Sequence, residues 1–344
     1  MNNLLPILLA LTMIFTGCTR ESTPVPGKDE DKPLPLKIED YYPFTENTKY
    51  TYEGEGNEFA FFTTYVDYTD ESRIQLRSDN GGTETVKVME LNNGQLTQLL
   101  NRGETYFREN FTDNQLQGGR ILLKEPLEEG DSWTNDDETT STITSIDREV
   151  VTKIGNYQTI EVTTEGPQGK TTDFYAKDIG LVKTVSEGEG YQVSSTLSSV
   201  EKDQPFIQTI TLFYPDADGT AINTAAVQIS FNTNDNPKDI IEKNIKDLSV
   251  YEILSPNAKI NELYFDEQEN SVHIDLSKEF VTEMNAGSGF EAMILQCLTN
   301  TLGTYYQVND VYITIDNERY ESGHIIIEKN EPSKVDFTNV KTAE

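Results

Sequence analysis

The chain has 344 residues, more than one hydrophobic core ordinarily serves, and this length predicts two domains. It carries 59 Asp and Glu against 27 Lys and Arg, a formal net charge of −32, which excludes nucleic-acid binding and a polybasic membrane-surface module, because both need clustered Lys and Arg. Its 17 Tyr and 15 Phe supply more aromatic surface than a disordered acidic chain holds, so the composition predicts a soluble folded protein.

Residues Leu4 to Phe15 form an apolar run with the length of a signal-peptide core, too short to span a bilayer. The run ends in Phe15-Thr16-Gly17-Cys18. This motif resembles the lipobox of bacterial lipoproteins. It implies a signal peptide over 1–17 and a lipid on the Cys18 thiol. Charge strengthens the reading. One acyl chain anchors a protein only marginally without a basic patch, so an acidic chain needs a multi-chain lipid at Cys18 to stay on an anionic membrane. The expected location is extracytoplasmic, lipid-anchored to the cell membrane. Cys297 is the other cysteine, which leaves the mature chain no pair to oxidise. Residues 18–37 hold Pro24, Pro26, Pro33 and Pro35 among balanced charges and read as an extended tether.

From 38 to 203 apolar and polar residues alternate in short runs, as in Ile160-Glu161-Val162. Turn formers punctuate them: Asp79-Asn80-Gly81-Gly82, Asn92-Asn93-Gly94 and Gly155-Asn156. A period of two with Asn/Gly punctuation predicts antiparallel hairpins, here an all-β domain built as a sandwich or an open half-barrel. Trp133, the lone tryptophan, opens a strand after Glu128-Glu129-Gly130-Asp131. It is a core residue or a sugar platform.

From 206 to 330 the pattern becomes α+β, in the order ββαββααββ. Ile207–Tyr214 and Val227–Phe231 read as strands around an acidic turn, Asp216-Ala217-Asp218-Gly219. Asn236-Pro237-Lys238-Asp239 supplies an N-cap, a first-position proline and an acid in the first turn of a helix. Ile260–Phe265 and Val272–Leu276 predict a hairpin. Ser288 and Glu291 predict a capping box, followed by an apolar stripe through Phe290, Ile294 and Cys297 to a C-cap at Gly303. Val311–Ile315 and Ile325–Ile327 are the closing strands, and 331–344 is a short polar tail.

Several stretches of this region, in their order and spacing, resemble the GerMN domain of bacterial sporulation and spore-germination lipoproteins. They are Ile210-Thr-Leu-Phe-Tyr-Pro-Asp-Ala-Asp-Gly219, Val272-His-Ile-Asp-Leu-Ser-Lys-Glu-Phe280, Gly287-Ser-Gly-Phe-Glu291 with Asn300-Thr301-Leu302, and Val311-Tyr-Ile-Thr-Ile-Asp316 with Gly323-His324. The resemblance implies an extracytoplasmic binding or assembly module, not an enzyme, in the envelope of Gram-positive bacteria. In the first domain, Tyr41-Tyr42-Pro43-Phe44 and the segment from Pro126 to Trp133 resemble clostridial and bacillar lipoproteins of unassigned function.

The chemistry-bearing residues are sparse. Counted from Asp216, the sixth and twelfth positions are Ala221 and Val227, where a calcium loop needs Gly and Glu, so the motif reads as a hairpin turn. His273 lies in a strand and His324 at a turn, and two histidines without paired cysteines give no zinc set. Cys297 sits on an apolar helix face and reads as core. No nucleophile elbow, P-loop or dinucleotide fingerprint occurs. The sequence therefore predicts no catalytic residues, no metal and no cofactor. Tyr305 and Tyr306 follow the predicted helix and, with Trp133, are the candidate partner contacts. The expected function is a membrane-tethered binding or assembly lipoprotein whose partner is an envelope or sporulation protein. Two alternatives stay open: a β domain that carries a lipid or glycan, and a peptidoglycan hydrolase.

Overall fold

In the computed structural model of the chain, which describes residues 35–167, 169–248 and 253–341, the alternating N-terminal half forms one antiparallel sheet. The lipobox, Cys18 and nearly all of the tether lie outside the described residues. A helical turn, α1 (Ile38–Tyr41), leads into β1 (Lys49–Glu55), β2 (Phe62–Thr69), β3 (Arg73–Asp79), β4 (Glu84–Asn92), β5 (Gln95–Arg102) and β6 (Arg120–Lys124). A second run follows: β7 (Ser132–Thr134), β8 (Thr140–Thr152), β9 (Gly155–Gly166), β10 (Gly169–Ala176), β11 (Gly180–Gly188) and β12 (Tyr191–Glu201). Pairing of β1 with β12 joins the two meanders into twelve strands in the order β6-β5-β4-β3-β2-β1-β12-β11-β10-β9-β8-β7.

The two outermost strands, β6 and β7, make no ladder, yet side chains from β7 and the residue after it reach the backbone of β6. Trp133 Nε1 donates to the Ile121 carbonyl at 3.0 Å, and the Ile121 amide donates to Asn135 Oδ1 at 3.0 Å. The sheet is therefore curled until its ends touch. Trp133 is buried with Leu123, Leu127 and Ile143, so its aromatic body packs while its one donor is satisfied. Of the two architectures open from the sequence, the structure is the curled single sheet.

The second region begins with an isolated hairpin, β13 (Phe206–Pro215) and β14 (Ile222–Phe231), then α2 (Pro237–Lys246). Asn236 caps α2 as expected, its side chain accepting from the Lys238 amide at 2.9 Å. Next come β15 (Ile260–Asp266), β16 (Ser271–Leu276), α3 (Glu279–Thr282), α4 (Ser288–Tyr306), β17 (Asp310–Ile315) and β18 (Glu318–Glu321), with short β19 (Ile326–Ile327) and β20 (Ser333–Lys334). The ββαββααββ order holds. β16 and β17 run parallel because α3 and α4 form the crossover between them.

Three local expectations change. Gly287, not Ser288, is the N-cap of α4, and no side-chain cap forms. Glu291 is buried and accepts from the Tyr320 hydroxyl at 2.7 Å instead. The helix runs through Gly303 to Tyr306, and Gln307 takes the left-handed C-cap conformation at φ 58°. Gly303 is there for close approach, since a Cβ would lie 2.2 Å from Val335 Cγ2. That neighbour belongs to the segment expected as a short polar tail. Residues 333–341 instead line the second region: Asn300 Nδ2 donates to the Asp336 carbonyl at 2.7 Å, Phe337 stacks on Phe213, and Lys341 pairs with Asp216 at 2.9 Å.

Leu36–Glu344 form one compact unit. Val86, Val88, Phe107 and Phe111 from the long sheet and its β5–β6 loop share a core with Phe231, Tyr305 and Tyr306. Polar groups are buried at the same seam. Asp67 is fully buried and pairs with Arg77 at 3.0 Å and with Arg108 at 3.1 Å. Arg108 also donates to the Asn232 carbonyl at 2.7 Å, and its guanidinium lies 4.6 Å from the Tyr68 ring and 4.8 Å from the Phe231 ring. Two buried cations facing one carboxylate are tolerable because carbonyls of Thr105, Phe107 and Asp67 take up further donors.

Candidate functional site

β2, β3 and β4 place alternate residues on opposite faces. Gln75, Arg77, Val86 and Val88 face the second region. Ile74, Leu76, Ser78, Lys87 and Met89 face the other way, into a cavity of about 290 Å³ enclosed by the curl of the sheet. β4 and β10 stand six places apart in strand order, yet both line this space, which only a curled sheet allows.

Most of the lining is apolar or aromatic. Tyr42, Tyr50, Tyr52, Phe62, Val66 and Leu122 contribute, with Tyr52 stacked on Phe62 at 4.3 Å and its hydroxyl donating to the Leu181 carbonyl at 2.9 Å. Thr64 and Ser78 satisfy each other in the wall at 3.0 Å. Three charged groups enter the same space: Lys87 from β4, Arg120 from β6 and Asp173 from β10. Register explains their grouping. Met89 faces Gln98, which faces Arg120, in one row across β4, β5 and β6, and Lys87 is two residues from Met89 on the same face. Among the described residues no ion pair joins any of the three to another group, and Arg120 Nε is buried with no hydrogen-bond partner. Burial pushes the Lys87 ammonium below its ordinary pKa and the Asp173 carboxyl above its own, the latter offset in part by the Thr184 hydroxyl.

The candidates singled out from the sequence, Cys18 apart, lie elsewhere. Tyr305 and Tyr306 occupy the last turn of α4 and are buried at the seam, 5.0 Å apart and perpendicular. The Tyr305 hydroxyl accepts from the Arg108 amide at 3.1 Å and donates to Gln208 Oε1 at 3.0 Å. These tyrosines and Trp133 are thus buried by packing within the chain. Cys297 is fully buried, and burial pushes its thiol up to about 12, well away from nucleophilic character. Asp216 closes its hairpin turn by accepting from the Thr220 and Ala221 amides at 2.7 and 3.2 Å.

His273 is half-buried in a ring stack across three strands, 4.8 Å from Tyr264 and 4.5 Å from Tyr312. Asp266 and Glu269 of the β15–β16 turn bring carboxylate oxygens within 4.8 Å of its ring nitrogen. Asp266 Oδ1 already accepts from the Gln268 and Glu269 amides at 2.8 and 3.0 Å, so the turn itself accounts for its position.

Sequence reasoning missed Lys87, Arg120 and Asp173. Their signal was present but weak: each is in phase with an apolar residue two positions on, Met89, Leu122 and Tyr175, so each places a charge on a strand's apolar face.

Comparison with known proteins gives two kinds of result. No curated protein matches significantly. Among solved structures, a Bacteroides fragilis protein described as exported and of YmcC-like fold is 14% identical, with 47% of this chain and 99% of that one covered and a TM-score of 0.29. A Parabacteroides distasonis protein described as a lipoprotein is 12% identical, covering 47% of this chain and 98% of its own at a TM-score of 0.27. A third, described as a lipoprotein of Clostridium perfringens, is 15% identical over 38% of this chain and 87% of its own, at a TM-score of 0.24. The region from β13 to β18 is the part the sequence identified by resemblance, and residues 211–321 match the Germane family model, described as sporulation and spore germination.

Proposed function

We propose that this chain is an extracytoplasmic, membrane-tethered binding protein of spore formation or germination, without catalytic activity of its own. The Germane match over residues 211–321 carries the reading. The arrangement of charge supports a binding role. Buried charges at the seam are spent on one another, Asp67 with Arg77 and Arg108, and serve the fold. The lipobox-like Cys18 supplies the tether, since a chain of net charge −32 is repelled by an anionic membrane. In the source organism, deletion of the gene is expected to lower the yield of heat-resistant spores or to slow germination. Cys18→Ala in the restored gene is expected to release the protein from membranes. Normal spore formation and germination in the deletion strain would overturn the reading.

A second reading concerns the long sheet. Its cavity, apolar with a few convergent polar groups, favours carriage of a small ligand. Both readings hold together if the sheet carries the ligand and the Germane region meets the partner.

A further inference from the structure

We propose that the cavity of the long sheet binds a single-chain amphiphile with one anionic head group, the head held by Lys87 and Arg120 and the chain lying against the tyrosine-rich wall. The proposal rests on the carrier reading and gives it a chemistry.

Four observations lead to it. First, Lys87 and Arg120 meet in the cavity without an ion pair or hydrogen bond to any described residue, and Arg120 Nε is buried and unpartnered. Among the described residues the two fully buried cations, Arg77 and Arg108, are both paired with Asp67. Asp173 attracts both across the cavity but forms an ion pair with neither, so one carboxylate leaves the charge of two partly desolvated cations incompletely met. Second, the guanidinium fork matches a planar carboxylate or a phosphate, and Lys87 adds a point charge beside it. Third, Asp173 faces the same space from β10, which leaves one excess positive charge for the ligand and disfavours a multiply charged head. Fourth, most of the rest of the lining is apolar or aromatic, and about 290 Å³ stands at the lower end of the roughly 300–1,000 Å³ of small-molecule sites, room for one chain rather than two. Lys87 and Asp173 are only half-buried, so the head end is reachable from solvent.

Calorimetric titration of the mature chain carrying Cys18→Ser, so that no lipid of its own competes, tests this. The probes are decanoate, decyl phosphate, decanol and decyltrimethylammonium. Decanoate is expected to bind about tenfold or more tighter than decanol, the gain of one charge-assisted contact. The trimethylammonium probe is expected not to bind. Lys87→Met and Arg120→Gln should each shrink the decanoate preference, and together abolish it, while decanol binding stays unchanged and the melting temperature does not fall. Preference for decyl phosphate over decanoate would assign the head to phosphates within the same proposal. Equal affinity for decanoate, decyl phosphate and decanol would overturn the anionic head and leave the carrier reading standing. Binding of none of the four would overturn both.

Discussion

Asp67 is the carboxylate on which the seam turns, and its removal gives the sharpest test of how the two regions are joined. In Asp67→Ala, Arg77 loses a partner at 3.0 Å and Arg108 one at 3.1 Å, and both guanidiniums remain fully buried. Arg77 keeps Glu84 at 2.8 Å, whereas Arg108 keeps no carboxylate, only carbonyls and the Tyr68 and Phe231 rings. Removing one member of a buried ion pair costs about 3–5 kcal/mol, because the remaining charge is stranded. A domain's whole stability is about 5–15 kcal/mol, so this is a large fraction. The assay is urea unfolding followed by two probes. Trp133 is the single tryptophan and sits where β6 meets β7, so its fluorescence reports the long sheet. Far-ultraviolet circular dichroism reports the helices, of which α4 is the longest described. In the unmodified chain the two transitions are expected to coincide, because Val86, Val88 and Phe107 share a core with Tyr305 and Tyr306. In the variant both should move to lower urea, or separate. A loss below about 1 kcal/mol, or transitions that are already separate without the substitution, would refute the argument from stranded charge and shared core.

Two further outcomes are expected. Glu109, half-buried against β15, has its carboxyl pushed up to about 7 by desolvation, which outweighs the hydrogen bond from the Phe265 amide. The folded state thus holds a proton that the unfolded chain releases from its ordinary value of 4.5, so stability falls as pH rises from there through 7. Glu109→Gln should raise stability by about 1–3 kcal/mol near pH 8 and by little near pH 4, read from urea midpoints, and an equal effect at both would refute the assignment. Gly303→Val should destabilise by about 1–3 kcal/mol or more, since even a Cβ there meets Val335; a neutral result in thermal melting would show that residues 333–341 are not held against α4.

How much of this was legible in the sequence depends on the range of the forces involved. Turn residues and alternation are local, so the antiparallel strands up to Glu201 and the ββαββααββ order after it follow from neighbours in the chain. The Asn236 cap was legible for the same reason. The Ser288–Glu291 capping box was not. Both residues suit a cap, but Tyr320, 29 positions away, offers Glu291 a buried hydroxyl. Gly303 reads as a helix stop in one dimension, and only the return of Val335 shows why a side chain is excluded. Tyr305 and Tyr306 look available at the end of an isolated helix, and the seam buries them.

The large excess of acid over base describes a repelling surface, and composition alone fixed it. It said nothing of the interior. Three cations stand out there, Arg77 paired with Asp67 and Glu84, Arg108 paired with Asp67, and Arg120 with its Nε buried and unpartnered, and the fold placed each of them. A shift of one residue in β3 or β6 would turn Arg77 or Arg120 to the other face. Composition and local pattern therefore determined the class of the fold, the predicted tether and the Germane likeness. The curl of the sheet, the cavity and the meeting of Lys87, Arg120 and Asp173 were decided by contacts between strands far apart in sequence, which no local pattern encodes.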